Sequence, residues 1–461
     1  MINRNVAKNV LHTALSTGGD FAEIFIENRK TNNISLINGK LDKAVSGIDY
    51  GIGLRIFVGH NAIYTYTNDL SESNLLFMAK NAADAVNISK QNEIVLDFTT
   101  KNINNIHPIK ILPSEVPKTD IIDILKLANK YSKDYSKSIS QTGGYYTDEV
   151  QDIVIINSKG LWVEDRRIRT RVEITAVASN GTEKQTGKHA PGSHSGYEFV
   201  KNLDIEFLAK DSARIAATML EASYAPSGKM TVVIDKGFGG VILHEACGHS
   251  LEATAIAKGA STFCNMKGKQ IASPIVTYID DGTIPNAWGS INVDDEGTPT
   301  QKNILIENGI LKTYLVDTLN GLKMGEPSTG SSRRQSYKYA PTSRMTNTYI
   351  QAGTDKEKDI ISNTEYGLYA AKMGGGSVTP ATGEYNFSVI EGYLIENGKI
   401  TKPVRGASLI GMGSSTLKNI DAVADIEKQG QGMCGSISGS IPTNVGQPMI
   451  RVKEMTVGGQ N

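Results

Sequence analysis

From Phe21 onward, apolar and polar residues alternate through "FAEIFIENR", and a period of two predicts a strand with one buried face. The following "NISLINGKLDKAVS" carries Asn38-Gly39, a dipeptide suited to a two-residue hairpin turn because both positions accept positive φ. "GIGLRIFV" and "NAIYTYT" continue the run, so the pattern predicts a meander. The period then lengthens. "SESNLLFMAKNAADAVN" places Leu75, Met78, Ala79, Ala82, Ala85 and Val86 on one helical face, and the first unit reads as a sheet with a covering helix.

A polar stretch with Pro108, Pro113 and Pro117 separates this unit from the next. A second helix, with Thr119 as its N-cap, repeats the apolar spacing at Ile121, Ile124, Leu125, Ala128 and Tyr131. Strands resume at "DIVIINSKG" and "TRVEITAVAS". A long amphipathic helix, "LDIEFLAKDSARIAATMLEA", then buries Ile205, Leu208, Ile215 and Met219. Pro226, Ser227 and Gly228 in "YAPSGKM" end that helix before the strand "MTVVID". The predicted boundaries are therefore 1–225, with an internal break near 100–117, and 226–461.

The second half changes character. It is glycine-rich, with short strands, hairpin signals at Asn308-Gly309 and Asn397-Gly398, and one convincing long helix. "LIENGILKTYL" and "YLIENGKITKPV" read as two similar hairpins. The predicted class is α+β: an N-terminal mixed α/β region of sheets with covering helices, then a mostly antiparallel, barrel-like β domain that carries the histidine helix.

Composition narrows the function. A chain of 461 residues can bury more than one core. Lys plus Arg and Asp plus Glu both total 48, and without a basic run this argues against direct nucleic-acid binding. The first residues lack an apolar leader core, and no stretch reaches the ~20 apolar residues of a membrane span, so a cytoplasmic protein without membrane contact is expected. Three cysteines, Cys247, Cys264 and Cys434, cannot form a disulfide framework and suit a reducing compartment.

The candidate chemistry lies in "GGVILHEACGHSLEA". His244 and His249 are five residues apart, one more than in the His-Glu-x-x-His motif of zinc peptidases, and a regular helix would splay them. A π-bulge, or an interruption near Gly248, would bring both to one metal. Spacing alone leaves a shared metal and two unrelated histidines at a helix end both open. Glu245 beside a metal could take a proton from water. Cys247, Cys264, Cys434, Glu252 and the paired acids of "YIDDG" and "VDDEG" are candidates for a third ligand, and spacing does not choose among them.

Other matches are weaker. "MGGGSVTPATGEYNFS" lacks the Gly-Lys-Ser/Thr ending of a phosphate-binding loop and reads as a flexible or substrate-flanking loop. "KHAPGSHSGYEF" reads as a surface turn carrying His189 and His194. No serine-nucleophile signature is present.

Taken together, the second half resembles the TldD/PmbA family of zinc peptidases, and in particular its TldD-type subunit. The resemblance is carried in order by "GGVILHEACGHSLEA", "YIDDGTIPNAWGSINVDDEGTPT", "SRMTNTYIQAG", "GGGSVTPATGEYNFSVIEGYLIENGKI", "PVRGASLIG" and "GQPMIRVKEMTVGG". It implies zinc held at His244, His249 and Cys434, with Glu245 as catalytic base, and makes the longer spacing the family's own. It also implies peptides or unfolded segments as substrates and a two-subunit assembly, either with a PmbA-type paralogue or as a homodimer. Two other functions compete with the peptidase: a non-catalytic regulatory subunit of the kind described as a modulator of DNA gyrase, and a zinc amidohydrolase acting on small amides.

Overall fold

The computed structural model describes residues 2–86, 97–379 and 381–460. In the first half, strands Phe21–Ile37, Lys40–Val58 and Asn61–Thr67 form the predicted meander, turning at Asn38 and Gly39, which both adopt positive φ. Phe21–Ile37 also pairs antiparallel with Ile139–Asn157, which in turn pairs with Leu161–Ser179. One sheet therefore runs through this half, across the proline-containing stretch. Helices Arg4–Leu15 and Glu72–Val86 cover an apolar core around Ile24, Leu54 and Ile56. Lys118–Asp134 and Ile205–Glu221 cover another around Ile34, Leu36 and Val172.

Two local expectations need correction. Ala83 turns inward where Ala85 was expected. The helix after the prolines begins at Lys118 with Pro117 at the cap position, because proline's fixed φ suits a helix start without a side-chain cap.

The second half is built on a closed five-strand barrel. Gly228–Ile234 pairs with Tyr366–Thr379, then Glu384–Glu396, Ser408–Met412 and Gly439–Gly458 follow, and the last returns to Gly228–Ile234. Only the pairing of Gly228–Ile234 with Tyr366–Thr379 is parallel within this ring. The expected barrel-like, mostly antiparallel architecture is present. Gly439–Gly458 extends beyond the barrel and pairs with Ile420–Ser436, forming a long C-terminal hairpin. The glycine-rich "MGGGSVTPATGEYNFS", read as a flexible loop, lies mainly in two paired barrel strands, with irregular register where its glycines admit close backbone contact.

Buried ion pairs join the halves. Arg334 Nη2 is 2.7 Å from Glu23 Oε1, Arg167 Nη1 is 2.8 Å from Asp295 Oδ1, and Arg55 pairs with both Glu23 and Glu296. No helix among the described residues is long and apolar enough to cross a membrane.

Candidate metal centre

The histidine segment leaves the barrel strand Gly228–Ile234 and shares its apolar core: Ile242, Leu243, Ala246, Cys247 and Leu251 pack in one cluster with Leu368, Phe387 and Val452. It is not the long helix expected from the sequence. Val241–Leu243 is one α turn, His244–Gly248 a π turn and His249–Leu251 a 3₁₀ turn. The His249 amide donates to the His244 carbonyl, an i→i+5 closure that places residues five apart over one another. This resolves the spacing problem.

Gly248 has ordinary right-handed helical angles, so conformational freedom does not explain it. Close packing does, because a Cβ there would lie 2.2 Å from Met345 Sδ.

His244 Nε2 and His249 Nε2 stand 3.3 and 3.1 Å from Cys434 Sγ. The ligand atoms of these three residues all lie within 4.8 Å of one another. Zinc bonds of about 2.0–2.1 Å to imidazole and 2.3 Å to thiolate, at tetrahedral angles, would separate nitrogen from sulfur by about 3.5 Å, so the donor set fits the ion. The far ring nitrogens are anchored as well. His244 Nδ1 is 2.9 Å from Thr348 Oγ1, and His249 Nδ1 is 3.1 Å from Glu252 Oε2. Such contacts fix ring orientation and leave Nε2 for a metal.

Electrostatics favour a thiolate. Burial would raise the Cys434 thiol, but the charges of His244 and His249 and their hydrogen bonds outweigh it and hold the group well below its ordinary range. Burial would lower His249, yet Glu252 and Cys434 raise it well above. Glu245 Oε2 is 3.5 Å from His249 Nε2, and 27 % of the Glu245 side chain is exposed, so this carboxylate reaches solvent beside the site.

The remaining ligand candidates lie elsewhere. Cys247 is fully buried among apolar residues, and burial alone pushes its thiol up to about 12. Cys264 Sγ meets the Ile256 carbonyl. Asp280 accepts from the Thr346 amide and hydroxyl at 2.7 and 2.8 Å, and burial raises it to about 6. Asp281 accepts from the Thr283 amide and hydroxyl, Asp294 accepts from the amides of Glu296, Thr298 and Ser332, and Asp295 binds Arg167.

Family comparison matches this architecture in three consecutive parts: PmbA/TldA metallopeptidase domain 1 at residues 22–86, its central domain at 111–220 and its C-terminal domain at 227–459. A metalloprotease TldD homolog of Buchnera aphidicola, from the pea-aphid subspecies, is 36 % identical over 95 % of this chain and 93 % of its own. The Haemophilus influenzae homolog is 35 % identical over 96 % and 93 %. The chain belongs to the PmbA/TldD metallopeptidase family.

A metalloprotease of Methanocaldococcus jannaschii is 32 % identical over 94 % of this chain and 96 % of its own. Among solved structures, the fold is shared with a Thermotoga maritima protein described as a candidate modulator of a DNA gyrase, at TM-score 0.80 and 19 % identity, covering 98 % of this chain and 99 % of that one. It is also shared with TldE from Thermococcus kodakarensis, at TM-score 0.75 and 17 % identity, covering 98 % and 100 %.

Two residues around the histidine segment escaped the sequence reading. Thr348 and Arg344 both lie in "SRMTNTYIQAG"; Arg344 donates to the Cys434 carbonyl and to Ser438 Oγ. Their signal was that segment's place among the family-like stretches. His189 and His194 also require correction. His194 is fully buried, its ring stacked 3.8 Å from that of His107, and His189 Nε2 pairs with Asp211 at 2.7 Å. The segment is buried because the second half folds over it: Asn286 Nδ2 donates to the His194 carbonyl.

Proposed function

We propose that the protein is a zinc-dependent peptidase acting on peptides or unfolded segments, with His244, His249 and Cys434 as metal ligands and Glu245 as general base. The observation that carries this reading is the convergence of two anchored imidazoles and one thiol, beside a partly exposed carboxylate. Three protein ligands are characteristic of catalytic zinc, which retains an open position. Zinc held there would polarise a peptide carbonyl and make a water more acidic.

The chain's own groups do the rest. Glu245 takes the proton from the attacking water and passes it to the departing amine. Thr348 and Glu252 hold the imidazoles in place, and Arg344 fixes the Cys434 backbone from a fully buried position. Among the described residues, strand Ile420–Ser436 pairs along its length with Gly439–Gly458 and meets residues 353–355 on its other edge at Val423–Asp425, which leaves a second edge toward Cys434 on which an extended peptide can lie.

Enclosure by a second subunit, a PmbA-type paralogue or another copy, would keep folded proteins from this site. Leu41, Val45, Ile48 and Tyr50, each at least 50 % exposed near the end of the first hairpin, offer an apolar surface for such a partner.

The experiment is metal analysis of the purified chain, with its partner where one copurifies, joined to cleavage of an unfolded polypeptide before and after chelation. Zinc near one equivalent, with cleavage abolished by chelator and restored by zinc, is expected. Metal-independent cleavage, or a metal-free preparation that fails to take up zinc, overturns the reading.

A further inference from the structure

Between the N-terminal sheet and the C-terminal hairpin lies a cavity of about 330 Å³, lined by Arg29, Arg167, Arg169, Arg171, Arg333 and Arg334. Three of these have acidic partners: Arg29 lies near Glu27, Asp49 and Glu149, Arg167 pairs with Asp165 and Asp295, and Arg334 pairs with Glu23. The other three have carbonyls instead. Arg169 donates to Trp288 O and Ser290 O, Arg171 to Ala190 O and Gln431 O, and Arg333 to Met345 O. Among the described residues, no carboxylate stands within 4.0 Å of any of these three guanidiniums.

This is an unusual charge distribution for a folded interior. Arg169 and Arg333 are each only 4 % exposed, and buried cations are ordinarily paired with acids. Burial, followed by the charge of Arg167, brings Arg169 down to about 10; burial and the charge of Arg169 bring Arg333 to about 9. The two cavity-lining acids, Glu149 and Asp295, are already engaged by Arg29 and Arg167. Glu149, Asp165 and Asp295 act on Arg169, and Asp295 on Arg333, only from beyond contact distance, and an anionic guest would add a direct partner.

The cavity also adjoins the candidate metal centre. Met433 and Ile441 line it; Met433 precedes Cys434, and Ile441 pairs with Cys434 across the hairpin. Trp288, another wall residue, donates to the Gly432 carbonyl, while Arg171 donates to that of Gln431. The cavity thus borders the strand that carries Cys434 through Met433 and through the wall residues bonded to Gly432 and Gln431, and Gln431 lies about 10 Å along that strand from Cys434 at roughly 3.3 Å per residue.

We propose that this cavity receives a carboxylate of the peptide substrate about three residues from the bond that is cut. The proposal rests on the peptidase reading and adds a substrate class: peptides bearing an acidic side chain, or their own terminal carboxylate, near the cleavage point. A carboxylate accepts paired hydrogen bonds from guanidinium groups, whereas a neutral residue there would leave Arg169, Arg171 and Arg333 without an acid in direct contact.

The test uses alanine-rich octapeptides carrying a single Glu or Gln, moved one position at a time, each with a free or amidated C-terminus. Binding to the zinc-loaded full chain is measured by calorimetry, separately from cleavage. The expected result is that one acidic position, or the free terminus, binds at least about tenfold more tightly than its neutral counterpart. The position identifies which source of carboxylate is used. Arg333→Gln should abolish the preference, and Arg171→Gln, at a half-buried position, should reduce it. Equal binding of acidic and neutral peptides, or a preference surviving both substitutions, overturns the proposal. Preferential binding without cleavage would retain the cavity's role and remove the peptidase reading; cleavage without preference would do the reverse.

Discussion

Cys434 Sγ lies 3.1 Å from His249 Nε2, although 185 residues separate them. The C-terminal hairpin carries the thiol and the π turn carries the imidazole, so this contact joins two distant parts of the second half. Cys434→Ser is predicted to lower zinc affinity strongly, because a hydroxyl replaces the thiolate, while Cys247→Ala and Cys264→Ala keep near-native stoichiometry. Zinc content of the three folded variants checks this. Full retention in Cys434→Ser would move the third ligand elsewhere.

Glu252 is predicted to orient rather than bind the metal, since its carboxylate meets His249 Nδ1 while Nε2 faces Cys434. Glu252→Gln should weaken zinc by about 10- to 100-fold without changing stoichiometry at saturating metal. A competition titration against a chelator measures it, and unchanged affinity would deny Glu252 this function.

Binding along the free edge of the strand bearing Cys434, as proposed, would favour substrates that can become extended. A small domain destabilised by a core substitution should be cut much faster than its stable parent of otherwise identical sequence. Equal rates under conditions where the parent stays folded would contradict strand addition.

His107 and His194 make stability depend on pH. Burial first, then the charge of Arg169, lowers both, bringing His107 to about 4 and His194 well below 6.5. The unfolded chain therefore binds more protons below about pH 6.5 than the folded chain does, so stability falls as pH drops from there toward 4. Urea unfolding across this window should show a shallower slope in a His107→Gln/His194→Gln variant than in the native chain. Identical slopes would assign the dependence to other groups.

The meander was legible because its alternation and Asn38-Gly39 turn are local signals, and the hairpins at Asn308-Gly309 and Asn397-Gly398 were legible in the same way. The burial of His194 was not, because it depends on Asn286 and Ser290, which are contributed by the other half of the molecule. The π turn could be posed as an alternative from the five-residue spacing, but the choice required the His249-to-His244 backbone bond. Residue types and the family resemblance put forward Cys434; its approach to both histidines depends on long-range strand pairing. The cavity arginines bonded to carbonyls rather than acids were invisible in a chain whose total charge is zero, since their significance depends on where the balancing acids fold.

Glu245→Gln, assayed for zinc content and peptide turnover in one preparation, bears most directly on the proposed chemistry. The amide preserves the side chain's size but removes its ability to accept the water proton. Zinc should remain near the native level while turnover falls by about 10²- to 10⁴-fold. Native turnover with zinc in place would contradict the role of Glu245 as base, and loss of zinc would make it a ligand.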